Sequence, residues 1–249
     1  MGRIVIFIYG LIAYFAFFGT ILYAIGFTEN MVVLKGIDEG FEDYTVSKWV
    51  PILINVLMLG VFGIQHSIMA RPAFKDWWTK IIPKPAERST YVLLTSIILC
   101  VMFWQWRPMT TVIWNLETPA LRYILFGLSF LGWAMVFYST FLIDHFDLFG
   151  LRQVYLYLKG KEYTEVKYAE RSLYKFVRHP LYLGFITAFW FTPTMTQGHL
   201  LFAVVTTAYI LVAIQLEERD LIKGLGQDYV NYRKRTPMIL PIPKGKSSS

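Results

Sequence analysis

Apolar residues along this chain gather in long runs, at about 4–27, 49–69, 89–106, 122–143, 181–197 and 199–216, rather than in stripes of helical or strand period. Runs near twenty residues match the thickness of a bilayer and predict membrane-crossing helices. The last two are short, and Pro193 with the Thr196-Gln-Gly198 turn divides them, so five or six spans are expected. The polar stretch Arg71 to Arg88 sets Trp77, Trp78, Ile81 and Ile82 among cations, which suits a segment in the headgroup layer. Val154 to Val166 has β-prone arms around Lys159-Gly160, predicting a small β-hairpin in the 151–170 loop. After the last run, Glu217-Glu-Arg-Asp-Leu221 continues as a polar helix toward Gly224 and Gly226. Tyr229 and Tyr232 then share one helix face before Pro237. The expected fold is an all-α integral membrane protein with a C-terminal helical hairpin and a cytoplasmic C-terminal helix. It reads as a single membrane domain over 1–249, with a four-span half at 1–143, a second half at 144–240 and a flexible tail at 241–249.

Composition sharpens this picture. A chain that is 55% hydrophobic, 18% aromatic and only 16% charged is too apolar for an ordinary soluble domain. The net charge of +7 does not point to nucleic acid, because the cations sit in the connections between apolar runs. Ile4 to Phe27 is longer than a signal-peptide core and lacks a small-residue cleavage site, so it reads as a retained span. Ile6 stands where a myristoylation pattern needs Ser or Thr. Cys100 is the single cysteine, in an apolar run, so no disulfide or zinc cluster is available and a packed core position is expected.

With six crossings, twenty of the twenty-four Lys and Arg residues fall on one side, from Arg3 through the 71–88, 152–178 and 219–246 stretches. That side should be cytoplasmic. Lys35, Lys48, Arg107 and Arg122 fall opposite, with the acidic Asp38 to Asp43 stretch. Trp49, Trp104, Trp106, Trp114 and Tyr123 near the span ends predict an aromatic belt. His66, Asp144-His145, Arg178-His179 and Glu217-Glu218 then close or open successive spans at one cytoplasmic level. Ionisable groups at a bilayer edge are costly to bury, so such a cluster predicts a polar cavity for a soluble ligand.

The local sequence Tyr174-Lys-Phe-Val-Arg-His-Pro-Leu-Tyr-Leu-Gly184 is the most informative part of that level. Pro180 disfavours helix at the residue before it and suits the first helical position, so a helix starts there. Its free N–H groups, with Arg178, form a seat for a carboxylate or phosphate, and Gly184 is expected to leave a gap for a ligand. Snorkelling of Arg178 and His179 at the membrane boundary is the alternative.

The string RHPLYLG at 178–184, followed after a hydrophobic hairpin by EERDLIKGLGQDYVNYRKRTP at 217–237, resembles the paired signatures of the isoprenylcysteine carboxyl methyltransferase and phospholipid methyltransferase group. Upstream, Gln65 to Lys75, Glu87 to Tyr91, Trp104 to Pro108 and Asp147 to Gln153 are similar to bacterial methanethiol S-methyltransferases. The resemblance implies methyl transfer from S-adenosylmethionine inside a membrane fold, with 144–240 as the cofactor-binding half. No Gly-x-Gly-x-x-Gly fingerprint follows a predicted strand, in keeping with that. By the same resemblance Arg178, His179, Tyr182, Gly184, Glu217 and Glu218 line the cofactor pocket. The candidate bases for thiol deprotonation are His66 and His145, with Asp144 or Asp147 as an orienting or proton-accepting partner, and no metal is required. Arg219 is expected to pair with Glu218 or Asp220, with contact to the cofactor as the alternative, and Tyr229 and Tyr232 to pack the terminal helix. His199 reads as structural. The expected activity is methylation of methanethiol to dimethyl sulfide. A lipid substrate, such as an isoprenylcysteine carboxylate or phospholipid headgroup, is the second enzymatic reading, and a haem- or metal-holding membrane sensor is the non-enzymatic one. The partners expected are a small thiol and the bilayer, without nucleic acid, in a bacterial inner membrane.

Overall fold

The computed structural model describes residues 2–40, 47, 49–164 and 170–241. The acidic stretch beyond Gly40, the end of the expected hairpin loop beyond Thr164 and the tail beyond Pro241 lie outside the described residues. Ten α-helices run in the order α1 Arg3–Glu29, α2 Trp49–Ala70, α3 Pro72–Trp78, α4 Glu87–Gln105, α5 Pro119–Ile143, α6 His145–Leu148, α7 Leu151–Leu158, α8 Pro180–Trp190, α9 Gln197–Leu225 and α10 Gln227–Arg235 among the described residues. Strands β1 Val112–Asn115 and β2 Thr194–Thr196 form a two-stranded sheet.

Five helices are long and apolar enough to cross a membrane: α1, α2, α4 with its preceding turn, α5 and α9. Large apolar side chains such as Phe15, Leu53, Ile64 and Leu131 are exposed along them, as lipid-facing positions require. The chain is an integral membrane protein. At 11 residues α8 rises about 16 Å, short of the roughly 30 Å hydrocarbon layer, so it is not a sixth span. The last span corrects the expectation of two short segments: α9 begins at Gln197 and runs 29 residues, through Glu217 and Glu218.

The chain divides into two compact units. The first is drawn from 1–114, 144–167 and 194–202. Here α7 overturns the predicted β-hairpin. Val154, Tyr155 and Tyr157 carry β-prone side chains, but Leu151, Val154, Tyr155 and Leu158 at i, i+3, i+4 and i+7 mark one helix face. Val154 is fully buried against Ile6 and Ala86. Gly10 permits that contact, since a Cβ there would meet Val154 Cγ2 at 2.5 Å. Trp106 leaves the aromatic belt: it is fully buried, and its Nε1 donates to Ile37 O at 3.1 Å. Trp49 and Trp104 keep exposed positions. Cys100 is exposed on α4 instead of packed in a core, its Sγ 3.5 Å from Thr20 Oγ1.

The second unit is drawn from 115–143, 168–193 and 203–249. Its centre is the close packing of α5 on α8. A Cβ on Gly132 would lie 2.6 Å from Ala188 N, and one on Gly184 would lie 2.8 Å from Gly132 O. Small residues at both positions let the two backbones touch. Tyr229 and Tyr232 of α10 are buried as expected, and Tyr232 Oη donates to Tyr174 O at 2.6 Å.

Candidate active site

Pro180 occupies the first turn of α8, and His179 immediately before it is non-helical, as the Arg-His-Pro string predicts. This places Arg178 against α9, where its Nε donates to Glu218 Oε1 at 2.7 Å. Arg178 Nη1 donates to the carbonyls of Arg233, at 3.0 Å, and Thr236. His179 Nε2 lies 3.1 Å from the same Glu218 oxygen. Arg233 Nε is 3.1 Å from Glu218 Oε2, an ion pair. Arg178, His179 and Glu218 are all buried. A buried carboxylate is tolerable only with such partners, and the planar guanidinium supplies several donors at once.

The segment after α10 straps across this cluster. The amides of Arg178 and His179 donate to Pro237 O at 2.9 Å and Met238 O at 3.1 Å. The seat expected for a ligand carboxylate is thus partly taken by the chain itself; Glu218 Oε1 is bound up with Arg178 and His179, while Oε2 accepts no hydrogen bond among the described residues. Arg233, in place of the expected Arg219, is the additional cation on Glu218.

One turn into α8, Tyr182 Oη donates to Glu217 Oε2 at 2.9 Å. Both residues are partly buried, and Glu217 Oε1 takes no hydrogen bond among the described residues. The His179 and Tyr182 rings lie 5.6 Å apart, so the pair sits beside the buried cluster. Gly184 does not leave the gap expected of it. Its missing side chain makes room for Gly132 and Val136 of α5, not for a ligand gap.

The first unit holds the candidate bases. His66, on α2, has Tyr91 Oη 2.9 Å from Nε2 and 3.0 Å from Nδ1. Its ring stacks on Phe62 at 5.2 Å. Tyr91 also carries Arg88 over its ring at 4.9 Å, and Arg88 Nε donates to Leu148 O. His145 opens α6 and is buried, with Tyr14 Oη 2.9 Å from its Nε2 and the Phe149 ring 5.0 Å away. Burial holds its pKa below the ordinary histidine value, against the raising pull of Asp144. Phe149 and Phe17 stack at 3.8 Å and pack with Tyr91 and Met69, so both histidines border one aromatic cluster.

Asp144 has a structural duty: its Oδ1 accepts from Asp147 N at 3.0 Å and caps α6. Asp147 in turn accepts from Arg152 Nη1 at 2.9 Å and from Tyr163 Oη at 3.1 Å.

Comparison with known proteins follows this geometry. The chain is 54% identical over 239 residues to methanethiol S-methyltransferase 1 of Bradyrhizobium diazoefficiens, covering 96% of this chain and 83% of that protein. It is 51% identical to methanethiol S-methyltransferase of Crocosphaera subtropica, over 99% of this chain and 96% of the relative. The corresponding protein of Mycobacterium tuberculosis is 51% identical over 98% of both. The chain belongs to the methanethiol S-methyltransferase family. No family model matches it, and no solved structure does.

Within this family assignment, sequence reasoning missed three partners: Arg233 on Glu218, Tyr91 on His66 and Tyr14 on His145. Arg233 sits in the run Arg233-Lys-Arg235, where nothing in the sequence separates a buried contact from a solvated charge. The tyrosines lie 25 and 131 residues from their histidines, on other helices, beyond any local spacing rule.

Proposed function

We propose that the chain is an S-adenosylmethionine-dependent enzyme that methylates methanethiol to dimethyl sulfide, with its site on the cytoplasmic face of a bacterial inner membrane. The observation that carries this reading is identity above half, over nearly the whole chain, to proteins named for that reaction. The donor supplies a methyl group made electrophilic by attachment to a sulfonium. The residues of the second unit fit such a donor by their chemistry. Glu217 keeps a carboxylate oxygen unclaimed among the described residues, suited to an amino group or ribose hydroxyl. Tyr182 orients Glu217, and the first turn of α8 favours a carboxylate. Arg178, His179 and Glu218 fix the start of α8 against α9 and hold Tyr182 and Glu217 in register, while Gly184 sets the approach of α5.

The thiol must lose its proton, because the thiolate is the nucleophile. His66 or His145 takes that proton on a ring nitrogen, and the paired tyrosine hydroxyl holds the ring in place. Apolar walls around both histidines suit a one-carbon thiol, and a dry setting strips water from the thiolate. Asp144 supports His145 by capping α6 beside it.

Purified protein supplied with S-adenosylmethionine and methanethiol should release dimethyl sulfide into the headspace. Donor binding without that product, together with methylation of an isoprenylcysteine or phospholipid, would overturn the thiol reading.

A further inference from the structure

Many hydroxyl groups on or beside the helices of this protein bond back along the chain, while others, such as that of Ser89 to Gly150 O, reach across to another segment. The hydroxyls of Thr20, Thr28, Thr79, Thr90, Ser96, Thr187 and Thr206 bond back to a carbonyl three or four residues earlier. Ser129 instead reaches across to Ala188 O at 2.9 Å. Ser139 does neither. It is fully buried on α5, and its Oγ has no hydrogen-bond partner among the described residues. A buried hydroxyl without a partner carries a desolvation penalty of about 1–3 kcal/mol, which calls for an explanation.

Its position supplies one. Gly132, Val136 and Ser139 recur along one face of α5, and that face packs on α8. The two helices run antiparallel: Ser129 meets Ala188, and Val136 meets Gly184. One turn beyond Val136, Ser139 comes level with the opening turn of α8. The direction agrees with the contact one residue earlier, where Tyr138 Oη lies 3.1 Å from Ser172 Oγ, upstream of α8. Leu183 is the first residue of α8 to donate to a carbonyl at the start of the helix, His179 O, at 3.0 Å. The Leu181 amide precedes that bond and is one of the helix's terminal donors. The carbonyls of Pro237 and Met238 take the amides of Arg178 and His179 just before the helix, so the donors left at this level are the Leu181 amide and the buried Ser139 hydroxyl.

We infer that Ser139 is a further binding residue of the methyl-donor site, donating its Oγ proton to the donor's carboxylate at the start of α8. The inference rests on the donor reading above, and the ligand group follows from the chemistry: hydroxyl and amide donors at a positive helix end select an anionic acceptor. Trp133 Nε1, also buried without a hydrogen bond among the described residues, does not belong to this set. Its indole stands edge-on to Phe185 at 5.8 Å and Phe189 at 5.7 Å, within the helix packing.

Equilibrium binding to the full chain in nanodiscs tests this with two probes, S-adenosylhomocysteine and 5′-methylthioadenosine, which lacks the amino-acid end. Ser139→Ala should weaken S-adenosylhomocysteine about tenfold and leave methylthioadenosine unchanged. The ligand-free variant should melt no lower than the wild type, because the change removes an unpartnered hydroxyl. Unchanged binding of both probes would overturn the inference and leave the donor reading standing. Equal weakening of both probes, or a lower melting temperature without ligand, would assign Ser139 to helix packing and overturn it as well. If the wild type bound neither probe, the donor reading itself would fall, and this inference with it.

Discussion

Replacing Arg178 by Met separates a scaffold arginine from one that only meets a ligand. Arg178 holds Glu218 at 2.7 Å and bonds the carbonyls of Arg233 and Thr236, and both charged side chains are about 95% removed from solvent. Breaking a buried pair from one side costs about 3–5 kcal/mol, because the remaining charge is left without compensation. Two features favour the lower end: His179 still touches Glu218 Oε1, and the half-exposed Arg233 stays near Oε2. A loss of about 3 kcal/mol corresponds to a melting temperature lower by on the order of 10 °C for a chain of this size. The assay is thermal unfolding of ligand-free protein in detergent at one fixed scan rate. Protease accessibility of the segment after α10 should rise in parallel, since Arg178 ties that segment down. Adding Glu218→Met to the variant should recover a large part of the loss, because it removes the orphaned carboxylate. A ligand-free Arg178→Met protein that melts like the wild type would refute the scaffold role.

Other outcomes follow from the same geometry. Gly132→Ala should destabilise the ligand-free protein by about 1–3 kcal/mol in the same melting assay, since the new Cβ would press on α8 backbone 2.6 Å away; an unchanged melt would contradict the close packing. His66→Ala should nearly abolish turnover while retaining donor binding, and full turnover would remove His66 from the mechanism. Asp144→Asn keeps an acceptor for Asp147 N–H, so it should preserve stability and most activity, whereas Asp144→Ala should lose about 1 kcal/mol; equal behaviour of the two would argue against the capping role. His145 has a depressed pKa in the fold, so below about pH 6.5 the unfolded chain binds more protons than the folded one. Its stabilising contribution is present above that pH and is lost as pH falls toward the folded value. His145→Gln should therefore flatten the acid side of the stability profile, and an unaltered profile would contradict it.

The first four spans were legible because their apolar runs are long, the last was misjudged where two short runs adjoin, and the start of α8 was legible because Pro180 leaves the backbone few choices. The 151–158 helix was misread because Val154, Tyr155 and Tyr157 have strand-like side chains. Their spacing, not their type, decided the structure once Val154 found a place against Gly10. Among the site residues, the paired signatures identified the elements that carry Arg178 and Glu218 but not what these residues do. Whether a buried carboxylate meets a ligand or its own chain depends on partners such as Arg233 and Thr236, brought in by tertiary packing. Gly184 shows the same limit: a glycine in a motif marks a close approach, and here the approaching backbone belongs to α5.

The central claim is that the Tyr182–Glu217 pair, held by the buried Arg178–Glu218 cluster, receives the methyl donor. Calorimetric titration of S-adenosylhomocysteine into wild type and Glu217→Gln, with the melting temperature as a check on folding, tests it most directly. The account predicts an unchanged melt and affinity weakened at least tenfold; wild-type affinity in a correctly folded Glu217→Gln protein would contradict it.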